Sequence, residues 1–256
     1  MRRLRVLLGS LGLLPLSAFA PPPLVTGDVP TADYQRFELY TGFRYQESES
    51  GMPSRQLPFT EFVYGLTERQ ELTFETAYVS ENHEDGFSDI VLGTKFQFVI
   101  ESTNRPGIAG SFELKLPTAS ERKGLGDGEF DYDLRLRAQK TFGWFTGIAN
   151  AGYTFLTDPE FGGVETTKDN VWFLSFAQEY EVAENTRVLS EIYWVTREEP
   201  GEPNRLAANV GFKQKLFKDF TVHGSIGKSL REGNRGGPDI RAYLGFKYEF
   251  DAPWKK

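Results

Sequence analysis

The chain has 256 residues, a formal net charge of −7, 39% hydrophobic content, 14% aromatic content, 26 Gly and no Cys. That hydrophobic content is too low for a bundle of membrane helices, and the lack of Cys excludes disulfides, thiolate metal sites, cysteine nucleophiles and a lipoprotein anchor. Two His exclude a multi-histidine metal centre, and no cofactor, metal or nucleic-acid partner is expected.

Residues 1–20 read as a secretory signal. Arg2, Arg3 and Arg5 form the basic region, Val6–Leu16 the apolar core, and Ala18-Phe19-Ala20 fits the small-x-small cleavage rule. Pro21 would directly follow the cut, a position peptidases disfavour, so a site displaced by a residue or two is the alternative. Removing residues 1–20 takes away three positive and no negative charges, so −7 becomes −10. No later apolar run approaches the ~18 residues that a membrane helix needs. Residues 21–33, PPPLVTGDVPTAD, are Pro-rich without periodicity and predict a short periplasmic lead-in, too short for a folded plug.

Period-two alternation then begins. The first strand, Tyr34–Tyr45, places Phe37, Leu39, Thr41, Phe43 and Tyr45 on one face and Arg36, Glu38, Tyr40 and Arg44 on the other. The second, Gln56–Leu66, turns Glu61 inward, and the third, Glu71–Val79, turns Glu71 and Glu75 inward. The fourth, Phe87–Ile100, is the clearest: Ile90, Leu92, Thr94, Phe96, Phe98 and Ile100 oppose Asp89, Val91, Gly93, Lys95, Gln97 and Val99. Its apolar face covers about 20 Å at ~3.4 Å per residue. That approaches the ~25 Å apolar band of an outer-membrane barrel. Further strands are expected at Ile108–Leu116, Phe130–Lys140, Phe145–Leu156, Val171–Glu181, Arg187–Thr196, Arg205–Phe217, Phe220–Leu230 and Ile240–Phe250.

Turns after the even-numbered strands are short (Thr67–Gln70, Thr103–Pro106, Phe142–Gly143, Ala183–Asn185, Lys218–Asp219). Those after odd-numbered strands are longer and polar (Gln46–Arg55, Ser80–Gly86, Thr118–Glu129, Thr157–Asn170, Arg197–Asn204, Arg231–Asp239). An even strand count, this rhythm and the export signal predict an all-β, antiparallel up-and-down transmembrane barrel of about 12 strands over residues 34–250, with 251–256 as a periplasmic tail. A secreted β-sandwich would also alternate, but a twelve-stranded soluble barrel would enclose more space than side chains fill. The expected location is the outer membrane. Its lipid and lipopolysaccharide, and the barrel-assembly machinery reading a final strand that ends in Phe250, are the expected partners.

With ~4.7 Å between strands and ~40° tilt, the backbone radius is roughly 12 Å. The inward faces predict a charged, pore-lining wall: Arg36, Glu38, Arg44, Glu61, Glu71, Glu75, Lys95, Glu113, Lys115, Asp131, Asp133, Arg135, Arg137, Lys213, Lys215, Arg241, Lys247 and Glu249. Such rings select solutes by charge, while individual pairs also hold register across the wall. KGLGDGE at Lys123–Glu129 is Gly-rich, but no strand-to-helix step surrounds it, and it reads as a flexible outer loop rather than a phosphate cradle. Acidic loop residues (Glu47, Glu49, Glu81, Glu84, Asp85, Glu198, Glu199, Glu202) read as solvated tips. His223 and Ser225 lie two apart on one strand, the spacing of a lipid hydrolase pair, but they point inward and lack a third member to orient the imidazole. No enzyme activity is expected.

The stretches PFTEFVYGLTERQELTFETAY, FSDIVLGTKFQF, GSFELKLPTAS and GLGDGEFDYDLRLRAQKTFGWFTGIANAGYTF resemble the outer-membrane barrel family named for transporters of the phenol-degradation meta pathway. The resemblance runs strand by strand through residues 34–250. Its more specific parts are the YGLTERQEL hairpin, Leu116-Pro117-Thr118, the Gly124–Gly128 loop with Asp131, and Asn150-Ala151-Gly152-Tyr153. It implies an outer-membrane channel or transporter, with small hydrophobic or aromatic compounds among its solutes, and it marks no binding residue. The expectation is passage of small solutes without energy coupling. The alternatives are a closed structural barrel and, more remotely, a hydrolase using His223 and Ser225.

Overall fold

The computed structural model describes residues 21–48, 53–158, 160–161, 164–165, 167–198, 203–230 and 238–255. The expected signal, residues 1–20, lies outside them, as do Glu49, Glu199 and Glu202 of the acidic loops. Among the described residues fifteen strands follow in chain order: β1 (Arg36–Ser48), β2 (Pro53–Thr67), β3 (Gln70–Glu81), β4 (Glu84–Phe87), β5 (Ile90–Val99), β6 (Gly107–Leu116), β7 (Asp131–Phe142), β8 (Phe145–Phe155), β9 (Glu160–Phe161), β10 (Val164–Glu165), β11 (Val171–Ala183), β12 (Thr186–Val195), β13 (Arg205–Phe217), β14 (Phe220–Ser229) and β15 (Pro238–Asp251).

Twelve of these close a cylinder. Each pairs antiparallel with its chain neighbour, β2 pairs with both β1 and β3, and β15 returns to β1 with Arg36 opposite Asp251 and Phe43 opposite Leu244. Closure leaves no sheet edge, the condition for a sheet that crosses a bilayer. The alternation read from β5 is the one adopted: Phe98 is 55% exposed while Lys95 is 3% exposed. Phe96, Leu134, Leu136, Leu174, Phe176, Ile192, Val210, Ile226 and Leu244 are exposed on the outer face too. Large apolar side chains outside and charges inside invert the arrangement of a soluble protein. The barrel is transmembrane.

The fourth expected strand is divided. Residues 84–87 form β4 and continue β3 outward, with Tyr78 opposite Phe87 and Glu81 opposite Glu84. Asn82 and His83 take φ of 51° and 65°, the left-handed pair that a two-residue hairpin requires. The expected acidic loop is therefore a hairpin that extends the wall. The break at Ser88 and Asp89 has a local cause: Ser88 Oγ accepts from Ala77 N, and Asp89 Oδ1 accepts from the N–H groups of Thr118 and Ala119.

The C-terminal tail is docked. Ala252 N donates to Gln35 O, and Trp254 packs on Phe37 and Tyr64, donating Nε1–H to the Tyr64 hydroxyl at 3.2 Å.

Candidate functional site

The largest departure from the sequence reading lies in the lumen. Residues 21–33 are not a lead-in outside the wall. Leu24, Val25, Thr26, Val29 and Ala32 are buried inside it. The inner face is charged on one side but apolar on the other, where Ile148, Val171, Phe173, Ala177, Leu189, Tyr193, Val195 and Ala207 point inward. Val25 packs with Val171, Phe173 and Tyr193, Leu24 with Ile148, Ala177 and Leu189, and Ala32 with Tyr40 and Val63. Those contacts draw a Pro-rich segment out of water although it has no secondary structure of its own.

Such a segment carries backbone donors that no ladder satisfies, so side chains of the wall must accept them. Glu191 Oε1 accepts from Val25 N at 3.0 Å, and its Oε2 accepts from Thr26 N at 2.8 Å and the Thr26 hydroxyl at 2.6 Å. Asn209 also donates to Glu191. Asn150 Oδ1 accepts from Gly27 N at 2.8 Å, and Asn150 Nδ2 donates to Gly27 O at 2.9 Å. Glu71 accepts from Ala32 N at 2.7 Å, and Ser225 Oγ donates to Pro23 O at 2.6 Å. A Cβ at Gly27 would lie 2.6 Å from Arg137 Nη1, so a larger residue there would require that guanidinium to shift.

The predicted wall residues face inward, largely in ion pairs. At the short-turn end Arg36 bridges Asp219 at 2.7 Å, and Lys247 bridges Glu38 at 3.3 Å and Glu249 at 2.9 Å. Lys213 pairs with Glu179 at 2.6 Å, while Lys215 lies exposed at the same end. Further in, Lys95 meets Glu71 at 3.0 Å and Asp28 of the lumen segment at 3.3 Å. Arg44 approaches Glu75 at 3.9 Å and lies over the Phe59 ring at 3.9 Å. Arg135 pairs with Asp133 at 2.9 Å, Arg137 approaches Glu113 at 3.8 Å, and Glu61 and Arg241 are buried on the same inner face. Enclosure by the wall pushes the Asp28 carboxyl up, but Lys95, Lys213 and Arg137 outweigh it and hold it below the ordinary carboxylate range.

At the long-loop end, one described loop is tied down. The loop after β6 sets Leu125 against the buried cluster of Phe59, Ala77, Val79 and Tyr243. Asp127, fully buried in its side chain, is bridged by Lys115 at 2.7 Å and by Lys168 of the next long loop at 2.5 Å, and Lys115 also reaches Asp131 at 2.5 Å. Burial pushes the Asp127 carboxyl up, yet Lys168 and Lys115 outweigh it and leave it below its ordinary value. The Gly-rich stretch is thus held by ion pairs rather than free. At the opposite end a cavity of about 340 Å³ remains, bounded by Pro21–Leu24, Tyr40, Lys213, Lys215, His223 and Lys247.

His223 and Ser225 both point inward, but they are not arranged as base and nucleophile. The Ser225 hydroxyl is spent on Pro23 O, and His223 stacks on Tyr243 at 5.4 Å with neither ring nitrogen hydrogen-bonded. Sequence reasoning missed Glu191 and Asn150, the two residues that hold the segment most directly. The available signal was Glu191 itself, an acid placed inward among apolar residues in a strand with no facing cation.

The model of the family described as "Putative MetA-pathway of phenol degradation" matches residues 26–243. The chain is similar to the COG4313 outer membrane channel from Pseudomonas putida F1, with 15% identity and a TM-score of 0.71 over 88% of this chain and 98% of that one. It is also similar to the KdgM porin (12% identity, TM-score 0.56, 84% of this chain, 99% of that one). A third likeness is to the NanC porin (11% identity, TM-score 0.56, 83% of this chain, 98% of that one). At these identities the likeness is one of fold. No curated protein matches the chain.

Proposed function

The chain belongs to that phenol-degradation family, and on this premise we propose that it is an outer-membrane channel for small solutes. Conduction requires displacement of residues 21–32 and of the Leu125 lid. The observation that carries the reading is the way the segment is held. Side chains satisfy its backbone, chiefly Glu191, Asn150 and Glu71, and no ladder knits it into the wall. A segment so held moves without unpairing a strand.

The wall behind it supports the class of solute. One side is charged (Glu61, Glu71, Glu75, Lys95, Glu113, Arg135, Arg137) and the other is apolar and aromatic (Phe173, Leu189, Tyr193). That two-sided lumen suits a small amphipathic compound, an aromatic ring bearing a polar group, better than a sugar or a bare ion. In this reading flow follows the solute gradient without energy coupling. The outer belt meets lipid, and Phe250, stacked on Phe37 and Tyr248 at the short-turn end, is the aromatic offered to the assembly machinery.

The test is single-channel conductance of the refolded chain in a planar bilayer beside a variant lacking residues 22–32. Rare, small openings in the full chain and large, steady steps in the variant are expected. A variant that folds and stays silent overturns the channel reading in favour of a closed structural barrel.

A further inference from the structure

A second, much smaller cavity lies deeper in the wall. At about 20 Å³ it has room for one group the size of a water molecule. Glu61, Glu71, Glu75 and Glu113 line it, against only Lys95 and Arg137. Lys95 is already shared between Glu71 and Asp28, and Arg137 faces Glu113 Oε1. Glu61 Oε2 and Glu113 Oε2 have no hydrogen-bond partner, in residues only 5% and 8% exposed. Glu61 also stands directly opposite Glu75 in the β2–β3 ladder. Like charges side by side are unfavourable, and a buried carboxylate without a donor is more so. Two carboxyl oxygens that face this cavity thus lack a donor.

Pro21 lines the same cavity. It follows Ala20, the last position of the small-x-small cleavage signal, and a cut at that bond, against the disfavour that Pro meets there, is taken over the displaced alternative. Within the uncut chain the Pro21 nitrogen carries no hydrogen and no charge. Hydrolysis of the Ala20–Pro21 amide by a signal peptidase adds one water: Ala20 leaves as a carboxylate and Pro21 gains a secondary ammonium with two N–H donors. That group is cationic at neutral pH, it has two hydrogens, and there are two unpartnered oxygens.

We propose that this cavity is the binding site for the α-ammonium group of the mature chain, created at Pro21 by cleavage after Ala20 and held by Glu61 and Glu113. Processing then completes the seating of the lumen segment, because an uncut chain presents neither the charge nor the donors.

The test uses the full-length protein exported, processed and purified from outer membranes. Intact mass first fixes the N-terminus, and a start at Pro21 is expected; a start at another residue overturns the proposal. The native barrel is then exposed at neutral pH to an amine-selective acylating reagent, and modification of the N-terminal peptide is compared with that of the unfolded chain. Protection of about tenfold or more is expected, as for a group reached only by local opening. It should fall severalfold in Glu61→Gln and in Glu113→Gln. Reactivity within about twofold of the unfolded chain means the cavity holds water, and overturns the assignment. A spacer of two alanines between Ala20 and Pro21 supplies an independent readout, since it moves the ammonium by about 7 Å. It should lower the thermal midpoint of the wild-type barrel and leave that of Glu61→Gln unchanged. Equal losses in both backgrounds would place the ammonium elsewhere.

Discussion

Asn150 and Gly27 exchange two hydrogen bonds, the side-chain amide of one reproducing the donor and acceptor of a neighbouring strand for the backbone of the other, at 2.8 and 2.9 Å. No other amide side chain among the described residues both accepts from and donates to the backbone of the lumen segment. Asn150→Ala removes both bonds and leaves two buried backbone groups unsatisfied, at a cost of about 1–3 kcal/mol to the seated segment. The wall ladder is untouched, so the thermal midpoint of the barrel should barely move while open-channel probability rises by an order of magnitude or more. Single-channel recording beside a melting curve checks both.

Lys95→Glu is expected to do two things together. Lys95 bridges Glu71 of the wall and Asp28 of the segment, so the substitution brings three carboxylates together and repels the segment. It also makes the exposed inner wall more acidic. Larger conductance with selectivity shifted toward cations is the expected result, read from the reversal potential under a salt gradient. Selectivity shifted without any gain in conductance would mean that the Asp28 contact does not hold the segment.

The lid should respond to acid only late. Asp127 titrates below its ordinary value because Lys168 and Lys115 outweigh its burial. A carboxyl lowered in this way contributes its stabilisation in full above the unfolded value of ~3.9, and loses it as pH falls through the lower folded value. Gating should therefore be flat from pH 7 to about 5 and open steeply below about 4. Asp127→Asn should be open across the whole range. Conductance recorded against pH in both chains distinguishes this latch from a lid held by Leu125 alone.

On the outer face, Phe96→Lys places a charge where lipid is expected, at a cost of about 2–4 kcal/mol near the bilayer midplane. The variant should fail to reach the heat-modifiable folded form on electrophoresis. A Phe96→Leu control should assemble normally.

The wall was legible because one face of each strand had to be apolar and the other did not, a constraint that acts on every second residue. That is why Arg205–Phe217 coincides with β13 and why Lys95 and Phe96 fall on the faces expected of them. The hairpin at Asn82 and His83 was missed because its turn chemistry looks like an ordinary acidic loop. The lumen segment was missed for a different reason. Residues 21–33 have no period, since a chain crossing a lumen meets a different neighbour at each step. Its affinity for the interior resides in Glu191, Asn150 and Glu71, far away in sequence and unremarkable one at a time. Inward apolar residues such as Phe173 and Tyr193 gave the clue that charge counting passed over.

The contacts of the lumen segment also fix an order in time. Glu71, Asn150, Glu191 and Ser225 belong to β3, β8, β12 and β14, spread around the circumference, so the place this segment occupies does not exist until the circle is nearly complete. A segment near the start of the chain is therefore expected to settle last. On the proposed reading, a cylinder joined before that step has its inner carboxylates facing an open lumen, and the unseated barrel is its conducting form.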